Sequence, residues 1–348
     1  MTTMNGPRDM VGSKPEDFRI LVVVPCLNEE THLPSVLSFL SKEVDGLQAE
    51  IVVADGGSTD RSREIVAEFA TRDSRIHLLA NPRRIQSSAM NLAVKTFGDG
   101  RDYLVRVDAH CGYHPGFVRG LIAAAIAHDA CSVVVPMETI GTEPFQRAAA
   151  AAQNSKLGNG GSQHRLAASS RYVDNGHHAL MSIPAYRQAG GYDETFTHNE
   201  DSELDVRLRK AGGKIWLEGT QIIEYYPRKS PGRLFKQYYN YGKGRARNTL
   251  KHRTMPKIRQ SVPLGVAPAV ALAVLSPFWW PLAIPALAWL SVCIGYGVKE
   301  ALASRQASDL LIGPALAVMH FGWSAGFFMG IVTHFTEPPA QDPAPSLR

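Results

Sequence analysis

The chain has 348 residues, with 37 Lys and Arg, 32 Asp and Glu, 45% hydrophobic residues and a net charge of +5. That length allows two or three folded units at roughly 100–200 residues each, and the composition excludes a disordered chain, a collagen-like repeat and a disulfide-stapled mini-domain. The four cysteines, Cys26, Cys111, Cys131 and Cys293, show no CxxC spacing, which fits a reduced, cytosol-facing catalytic part.

Residues 1–17 are polar with no apolar run. They are expected to be a flexible N-terminus and not a secretory signal. Ile20-Leu21-Val22-Val23-Val24 then forms a continuous apolar run ending at Pro25, the pattern of a strand buried on both faces. Ile51-Val52-Val53-Ala54, Ile76-His77-Leu78-Leu79, Tyr103-Leu104-Val105-Arg106-Val107 and Cys131-Ser132-Val133-Val134-Val135 follow. Residues 59–69 and 87–97 between them read as helices, the first with an N-cap in Ser58-Thr59-Asp60. Alternation of strand and helix predicts an open, mainly parallel α/β sheet with its chemistry beyond the strands' carboxyl ends. After Pro136 come an Ala-rich helix over 147–153, a glycine-rich loop at 158–161, an apolar run at 180–183, a helix over 202–211 and a strand over 214–217.

Charge is distributed unevenly. Between Arg228 and Arg259 there are eleven basic residues and no acidic one, whereas 261–298 and 310–336 contain no Asp, Glu, Lys or Arg. A hydrocarbon core of about 30 Å needs ~20 apolar residues as a helix, so a wholly soluble protein is excluded. Residues 228–260 are expected to be a basic amphipathic juxtamembrane region attracted to membrane lipids. Residues 261–336 are expected to be a membrane domain of about three hydrophobic segments, with 337–348 as a tail. Prolines 263, 268, 277, 281 and 285 divide the first apolar stretch. This favours a hairpin of 264–278 and 281–298 with Trp279 and Trp280 at the far interface, a re-entrant first piece being the alternative. The positive-inside rule sets the basic block and the loop holding Lys299 and Arg305 in the cytoplasm, with the tail outside. Such a position argues against nucleic acid as the partner of the basic block.

Three acidic features follow predicted strands: Pro25-Cys26-Leu27-Asn28-Glu29-Glu30, Asp55-Gly56-Gly57-Ser58-Thr59-Asp60, and Arg106-Val107-Asp108-Ala109-His110. Carboxylates at strand ends accept from a base or a ribose hydroxyl, and a carboxylate and an imidazole two residues apart can turn toward one cation. Singly, each reads equally well as a helix cap or a solvated strand end. No GxGxxG and no GxxxxGK[ST] occurs, which disfavours a dinucleotide fold and a P-loop. Taken in order with residues 81–91, with Gly190-Gly191-Tyr192-Asp193-Glu194 and with Asn199-Glu200-Asp201-Ser202-Glu203-Leu204, these stretches resemble the family 2 glycosyltransferases of the GT-A fold. The likeness is narrower still to the succinoglycan-type exopolysaccharide subgroup, and it covers residues ~18–250.

The resemblance implies a catalytic domain over 18–227 and a nucleotide-diphospho sugar donor. Glu29 and Asp55 would hold the base and ribose, with Pro25, Asn28, Arg84 and Asp108 completing the nucleotide-sugar contacts. Asp108 and His110 match the DxD motif that binds a divalent metal ion, Mn2+ or Mg2+, although His110 stands where the pattern has Asp. Asp201 matches the catalytic base that deprotonates the acceptor hydroxyl; it shares a helical face with Asp205. Glu200, His177 and His178 fall in the acceptor region, where loop surface is an equal reading for the histidines. The processive QxxRW motif is absent, so one sugar per acceptor is expected. The implied function is inverting transfer to a lipid-linked, polyprenyl-diphospho saccharide by a multi-pass inner-membrane protein with its catalytic domain facing the cytoplasm. The alternatives are transfer to polyprenyl phosphate itself and a non-catalytic membrane subunit with a relict sugar-nucleotide domain.

Overall fold

The computed structural model describes residues 12–160, 169–254 and 258–336. The expectations for the start of the N-terminus and for the tail 337–348 lie outside the described residues, as does Gly161 of the expected glycine-rich loop; Gly158 and Asn159 of that loop belong instead to a short helix, residues 156–159, capped by Gly160. Contacts divide the chain into one unit drawn from residues 1–137 and 167–223 and another drawn from 138–166 and 224–340.

In chain order, the first unit opens with β1 (Arg19–Cys26), α1 (Leu33–Glu43), β2 (Gln48–Asp55), α2 (Ser62–Ala70), β3 (Ile76–Ala80) and α3 (Gln86–Phe97). It continues with β4 (Tyr103–Arg106), α4 (Phe117–Ala127) and β5 (Ser132–Val135). After β6 (Met137–Thr139), α5 (Pro144–Asn154) and α6 (Lys156–Asn159), of which both helices belong to the second unit, the first unit resumes with β7 (Arg171–Tyr172), β8 (His177–Ser182), α7 (Ile183–Gln188), α8 (Glu200–Lys210) and β9 (Ile215–Leu217), and β10 (Ile223–Tyr225) follows. The main sheet has the order β3-β2-β1-β4-β8-β5-β9-β7. β1 is parallel to β2 and β4, while β8 runs antiparallel between β4 and β5. Ile20 through Val24 and all of β4 and β5 are buried, as the apolar runs 20–24, 103–105 and 133–135 require, with Arg106 and Ser132 buried beside them.

From β1 the chain steps outward to β2 and β3, then returns through α3 to the opposite side of β1 as β4. Strand order therefore reverses between β1 and β4, and the crevice at such a reversal is where open α/β sheets bind ligands. Residues 25–30 and 106–110 leave the sheet there. Helix α2 starts three residues later than expected because its would-be first amides serve the loops. Ser58 N–H goes to Asp55 Oδ1, Thr59 N–H to Asn28 Oδ1 and Arg61 N–H to Glu30 Oε2. Strand β8 begins at His177, so both histidines lie in the sheet and not on a loop surface.

The second unit holds α5 and α6 together with α9 (Pro231–His252), α10 (Ile258–Leu264), α11 (Val266–Val274), α12 (Ile284–Ser304) and α13 (Ile312–Thr336). Residues 138–166, placed by sequence in the catalytic domain, pack here. The small side chains of Ala148, Ala149 and Ala152 form one buried cluster with Leu234, Cys293, Ile312, Ala315, Leu316 and Met319. Two stretches, 280–304 and 307–336, are long and apolar enough to cross a membrane. The 264–278 arm of the expected hairpin is not. α10 has 7 residues and α11 has 9, and nine residues at 1.5 Å rise reach about 14 Å, half of a hydrocarbon core. Gly265 separates α10 from α11, Pro268 has no N–H to offer Leu264 O, and α13 satisfies the freed backbone. Ser324 Oγ accepts Ala267 N–H at 3.0 Å and donates to Leu264 O at 2.8 Å, as irregular backbone in an apolar setting demands.

Helix α9 does form over the basic block, but its aromatic face lies along α13. A Cβ on Gly326 would overlap the Tyr239 carbonyl, one on Gly330 would sit 2.8 Å from the Ala246 Cβ, and one on Gly322 3.0 Å from Phe235 O. Glycines at 322, 326 and 330 therefore let the two helix backbones touch.

Candidate active site

The nucleotide-side residues meet where β1 and β2 end. Asp55 closes β2 with a buried carboxylate that accepts Gly57 N–H and Ser58 N–H, each at 3.1 Å. Asn28 at φ 57° and Arg84 at φ 58° both adopt the left-handed region, a cost that non-glycine residues carry mostly where function holds them. Asn28 N–H donates to Ser58 Oγ at 2.9 Å and Glu29 N–H to Ser62 Oγ at 2.9 Å, so the two loops form one wall. The Arg84 guanidinium lies over Gly57, where an added Cβ would be 3.5 Å from it. Pro25 pairs with Ala54 one step inside this wall. Pro25, Asn28, Asp55 and Arg84 are thus gathered as expected of one contact surface. Glu29 turns across the crevice, its Oε1 3.0 Å from His110 Nδ1.

At the end of β4 the hub is Arg106, a residue the motif comparison passed over. Its buried guanidinium grips both carboxylate oxygens of Asp108, Nε to Oδ1 at 3.2 Å and Nη2 to Oδ2 at 3.3 Å, and donates from Nη1 to Asp201 Oδ1 at 2.8 Å. Gln86, its amide oxygen turned inward, accepts from Nη1 at 2.7 Å. His177 stands 3.1 Å from Nη2; burial, reinforced by Arg106, lowers its pKa to about 4 and keeps it neutral. Tyr113 clamps the backbone, its hydroxyl accepting Asp108 N–H at 2.7 Å. Burial alone would push the Asp108 carboxyl up, but Arg106 holds it below the usual range. The sequence signal was available: an arginine inside a wholly apolar strand must find buried anions.

Glu200 opens α8 directly after Asn199, which is left-handed at φ 63°, and Asp201 is the helix's second residue. Its two oxygens differ. Oδ1 receives Arg106 and the Tyr192 hydroxyl, the latter at 3.0 Å, while Oδ2 faces His177 at 3.8 Å. Burial opposes its ionisation, yet Arg106, His178, His177 and Tyr192 hold its pKa well below the carboxylate norm. Glu200 behaves oppositely: burial, then the neighbouring Asp201 charge, raises it to about 7. Ionisation of Glu200 puts a second negative charge beside Asp201 and makes Asp201 more basic. Turnover should therefore rise as pH climbs through about 7, and Glu200→Gln should flatten that limb of a kcat–pH profile while leaving the rest in place. The cysteines flanking the site are not nucleophiles, since burial pushes the Cys26 thiol up to about 11 and Cys111 higher still.

Comparison with known proteins follows this geometry. A family model described as Glycosyl transferase family 2 matches residues 21–188. The succinoglycan biosynthesis protein ExoA of Rhizobium meliloti is 50% identical over 308 residues, 88% of this chain and 93% of that one. The chain is a family 2 glycosyltransferase. A Methanococcus voltae enzyme, dolichyl N-acetyl-alpha-D-glucosaminyl phosphate 3-beta-D-2,3-diacetamido-2,3-dideoxy-beta-D-glucuronosyltransferase, is 22% identical over 232 residues, 64% of this chain and 71% of its own. Among solved structures, the mannosyltransferase PcManGT of Pyrobaculum calidifontis, in complex with GDP-Man and Mn2+, superposes with a TM-score of 0.57 at 16% identity, covering 96% of this chain and 90% of that one. That likeness establishes the GT-A fold.

Enzymes of this fold commonly use a divalent cation, and the transferase's residues suit one. Asp108 offers an ionised carboxylate. His110 hands Nδ1 to the Glu29 carboxylate, the second-sphere pairing that orients an imidazole to ligate through Nε2. Among the described residues no group of three or more His, Cys, Asp or Glu is arranged around one point. Two protein donors are a partial set, of the kind that Mg2+ and Mn2+ complete with substrate phosphates and water.

Proposed function

We propose that this family 2 glycosyltransferase moves one sugar from a nucleotide-diphospho donor to a lipid-linked, polyprenyl-diphospho saccharide, with inversion, in exopolysaccharide synthesis of the succinoglycan type. The carrying observation is the Asp201 carboxylate, fixed through Oδ1 and presenting Oδ2 to the crevice beside Asp108 and His177. Asp201 Oδ2 takes the acceptor hydroxyl's proton as that oxygen attacks the sugar's anomeric carbon, and the bond to the nucleoside diphosphate breaks on the opposite side. One base and no enzymic nucleophile give a single displacement, hence inversion. Pro25, Asn28, Glu29, Asp55 and Arg84 bind and orient the nucleotide. Asp108 and His110 would hold a Mn2+ or Mg2+ ion, which when bound offsets the negative charge of the departing diphosphate.

Support for the acceptor and pathway comes from the printed names of the relatives, one a succinoglycan biosynthesis protein and one a dolichyl-linked transferase. Membrane attachment rests on the two long apolar helical stretches. In this reading the protein sits in the inner membrane as a multi-pass protein, with α9 at the lipid headgroups and the catalytic unit on the cytoplasmic side.

The test is incubation of detergent-purified protein with a panel of radiolabelled nucleotide sugars and either a polyprenyl-diphospho saccharide or polyprenyl phosphate. Label in an extended lipid saccharide is the expected result. Label on polyprenyl phosphate would instead place the enzyme with those making lipid monophosphate sugars, and no label from any donor would revive a non-catalytic role. Activity should also disappear in excess chelator and return with Mn2+ or Mg2+, with His110→Ala raising the metal concentration needed for half-activity. Full turnover in chelator would leave Arg84 and its neighbours to handle the diphosphate alone.

A further inference from the structure

Behind Asp201, on the side away from the crevice, lies a row of wholly buried polar groups that the transfer chemistry above leaves unused. His178 in β8 and Asp205 in α8 are both 0% exposed. His178 Nε2 is 2.7 Å from Asp205 Oδ1, and its Nδ1 is 2.7 Å from the Tyr192 hydroxyl. The Tyr192 hydroxyl donates onward to Asp201 Oδ1 at 3.0 Å. Asp205 is itself held by Gly176 N–H at 3.2 Å.

The direction of donation along this row is determined by its far end. Asp201 is ionised and only accepts, so the Tyr192 proton points to Asp201. The Tyr192 oxygen can then only accept from His178, and Nδ1 must carry a proton. Nε2 and Asp205 Oδ1, 2.7 Å apart, share one further proton between them: burial pushes the Asp205 carboxyl up and His178 pulls it back. We infer that Asp205 and His178 form a buried, proton-sharing carboxyl–imidazole pair that acts as a positioning device for Asp201, reaching it through the Tyr192 hydroxyl. The pair loads Oδ1 and so leaves Oδ2 as the oxygen that takes the acceptor's proton.

The charges facing His178 agree with this assignment. Burial disfavours the imidazolium and Arg106 of β4 repels it, but Asp205 and Asp201 of α8 outweigh both and raise its proton affinity above the usual histidine range. On its other side β5 presents Val134, which carries no charge. Neighbouring His177 faces Arg106 and stays neutral. A conventional second histidine ligand or a surface histidine would show neither this depth nor this chain of short contacts.

The inference rests on Asp201 being the base and is tested by coupling between the row's members. Tyr192→Phe should lower kcat for transfer about tenfold, the size of one hydrogen bond to a charged group, with the donor KM unchanged. His178→Leu should cost about the same alone, yet less than twofold more when added to Tyr192→Phe, because both cut one chain. His178→Asn, which keeps a donor near the Nδ1 position, should recover most of the loss. Independent losses that multiply to about a hundredfold, or an unchanged kcat in folded Tyr192→Phe, would overturn the relay. Should His178→Leu not fold with Asp205 left unpaired, the double variant His178→Leu with Asp205→Asn removes both partners of the pair and is compared in the same two backgrounds. A failure of coupling while Asp201→Asn stays inactive sinks the relay alone; an active Asp201→Asn sinks the base assignment beneath it.

Discussion

Asp201→Asn should keep donor binding and lose transfer by ~10²-fold or more, the loss expected when a general base is removed. The substitution is nearly isosteric, and an amide oxygen in place of Oδ1 still accepts from Arg106 and Tyr192, so the fold should survive. What disappears is the anionic Oδ2 facing the crevice. The measurement is kcat for sugar transfer set against the dissociation constant for the nucleotide sugar, which the proposed nucleotide wall of Asn28, Asp55 and Arg84, on separate elements, should leave unchanged. Near-normal turnover would hand the role to Glu200, the adjacent carboxyl whose pKa near 7 is already suited to proton transfer. Glu200→Gln and Asp201→Asn measured together separate the two, since only the true base abolishes turnover at every pH.

Arg106→Met should be the most damaging single change to the catalytic unit. It fills similar volume but leaves Asp108 and Asp201 buried without their shared cation, and breaking such a pair costs about 3–5 kcal/mol. Both carboxyls are held below their usual range in the folded state. The stability they contribute is therefore present above the unfolded carboxylate pKa and is lost as pH falls through the folded one. It follows that the gap in stability between wild type and Arg106→Met should be widest near neutral pH and narrow toward acid. Denaturant melts at several pH values measure this. Arg106→Lys keeps the charge but has one ammonium where the guanidinium reaches two carboxylates in three directions, so it should recover part of the stability and little of the activity. Equal stability of wild type and Arg106→Met at neutral pH would show that the carboxylates do not depend on this cation.

Much of this was legible in the residues alone. Unbroken apolar runs at 20–24, 103–105 and 133–135 specify strands buried on both faces, because a parallel sheet covered by helices leaves no side for polar residues. The motif-bearing segments were locatable because the carboxylates of Asp55 and Asp108 sit at or just beyond strand ends, where local sequence sets both the strand's end and the loop's turn. Asp55 with Gly56 and Gly57 is such a case: the carboxylate closes on its own backbone amides within three residues. The two long charge-free stretches likewise announce their apolar surroundings by composition.

Other features depend on partners distant in sequence. Arg106 gains its role from Asp201, 95 residues away, and nothing local to either residue encodes that pairing. The histidines at 177 and 178 read equally as acceptor-site or loop-surface residues until the sheet places β8 between β4 and β5, where alternate pleat directions send one to the crevice and the other to Asp205. The basic helix α9 has the composition of a membrane-surface element, yet its aromatic face is taken by α13 because glycines on that far-downstream helix permit backbone contact. The first apolar segment has the hydropathy of a span, but Gly265 and Pro268 break its hydrogen-bond ladder and Ser324 receives the freed groups. Residue type and period determine which segments are buried and where chemistry is carried; only the packed chain decides which charges neutralise one another, because desolvation and ion pairing are set by distance in space and not by order in sequence.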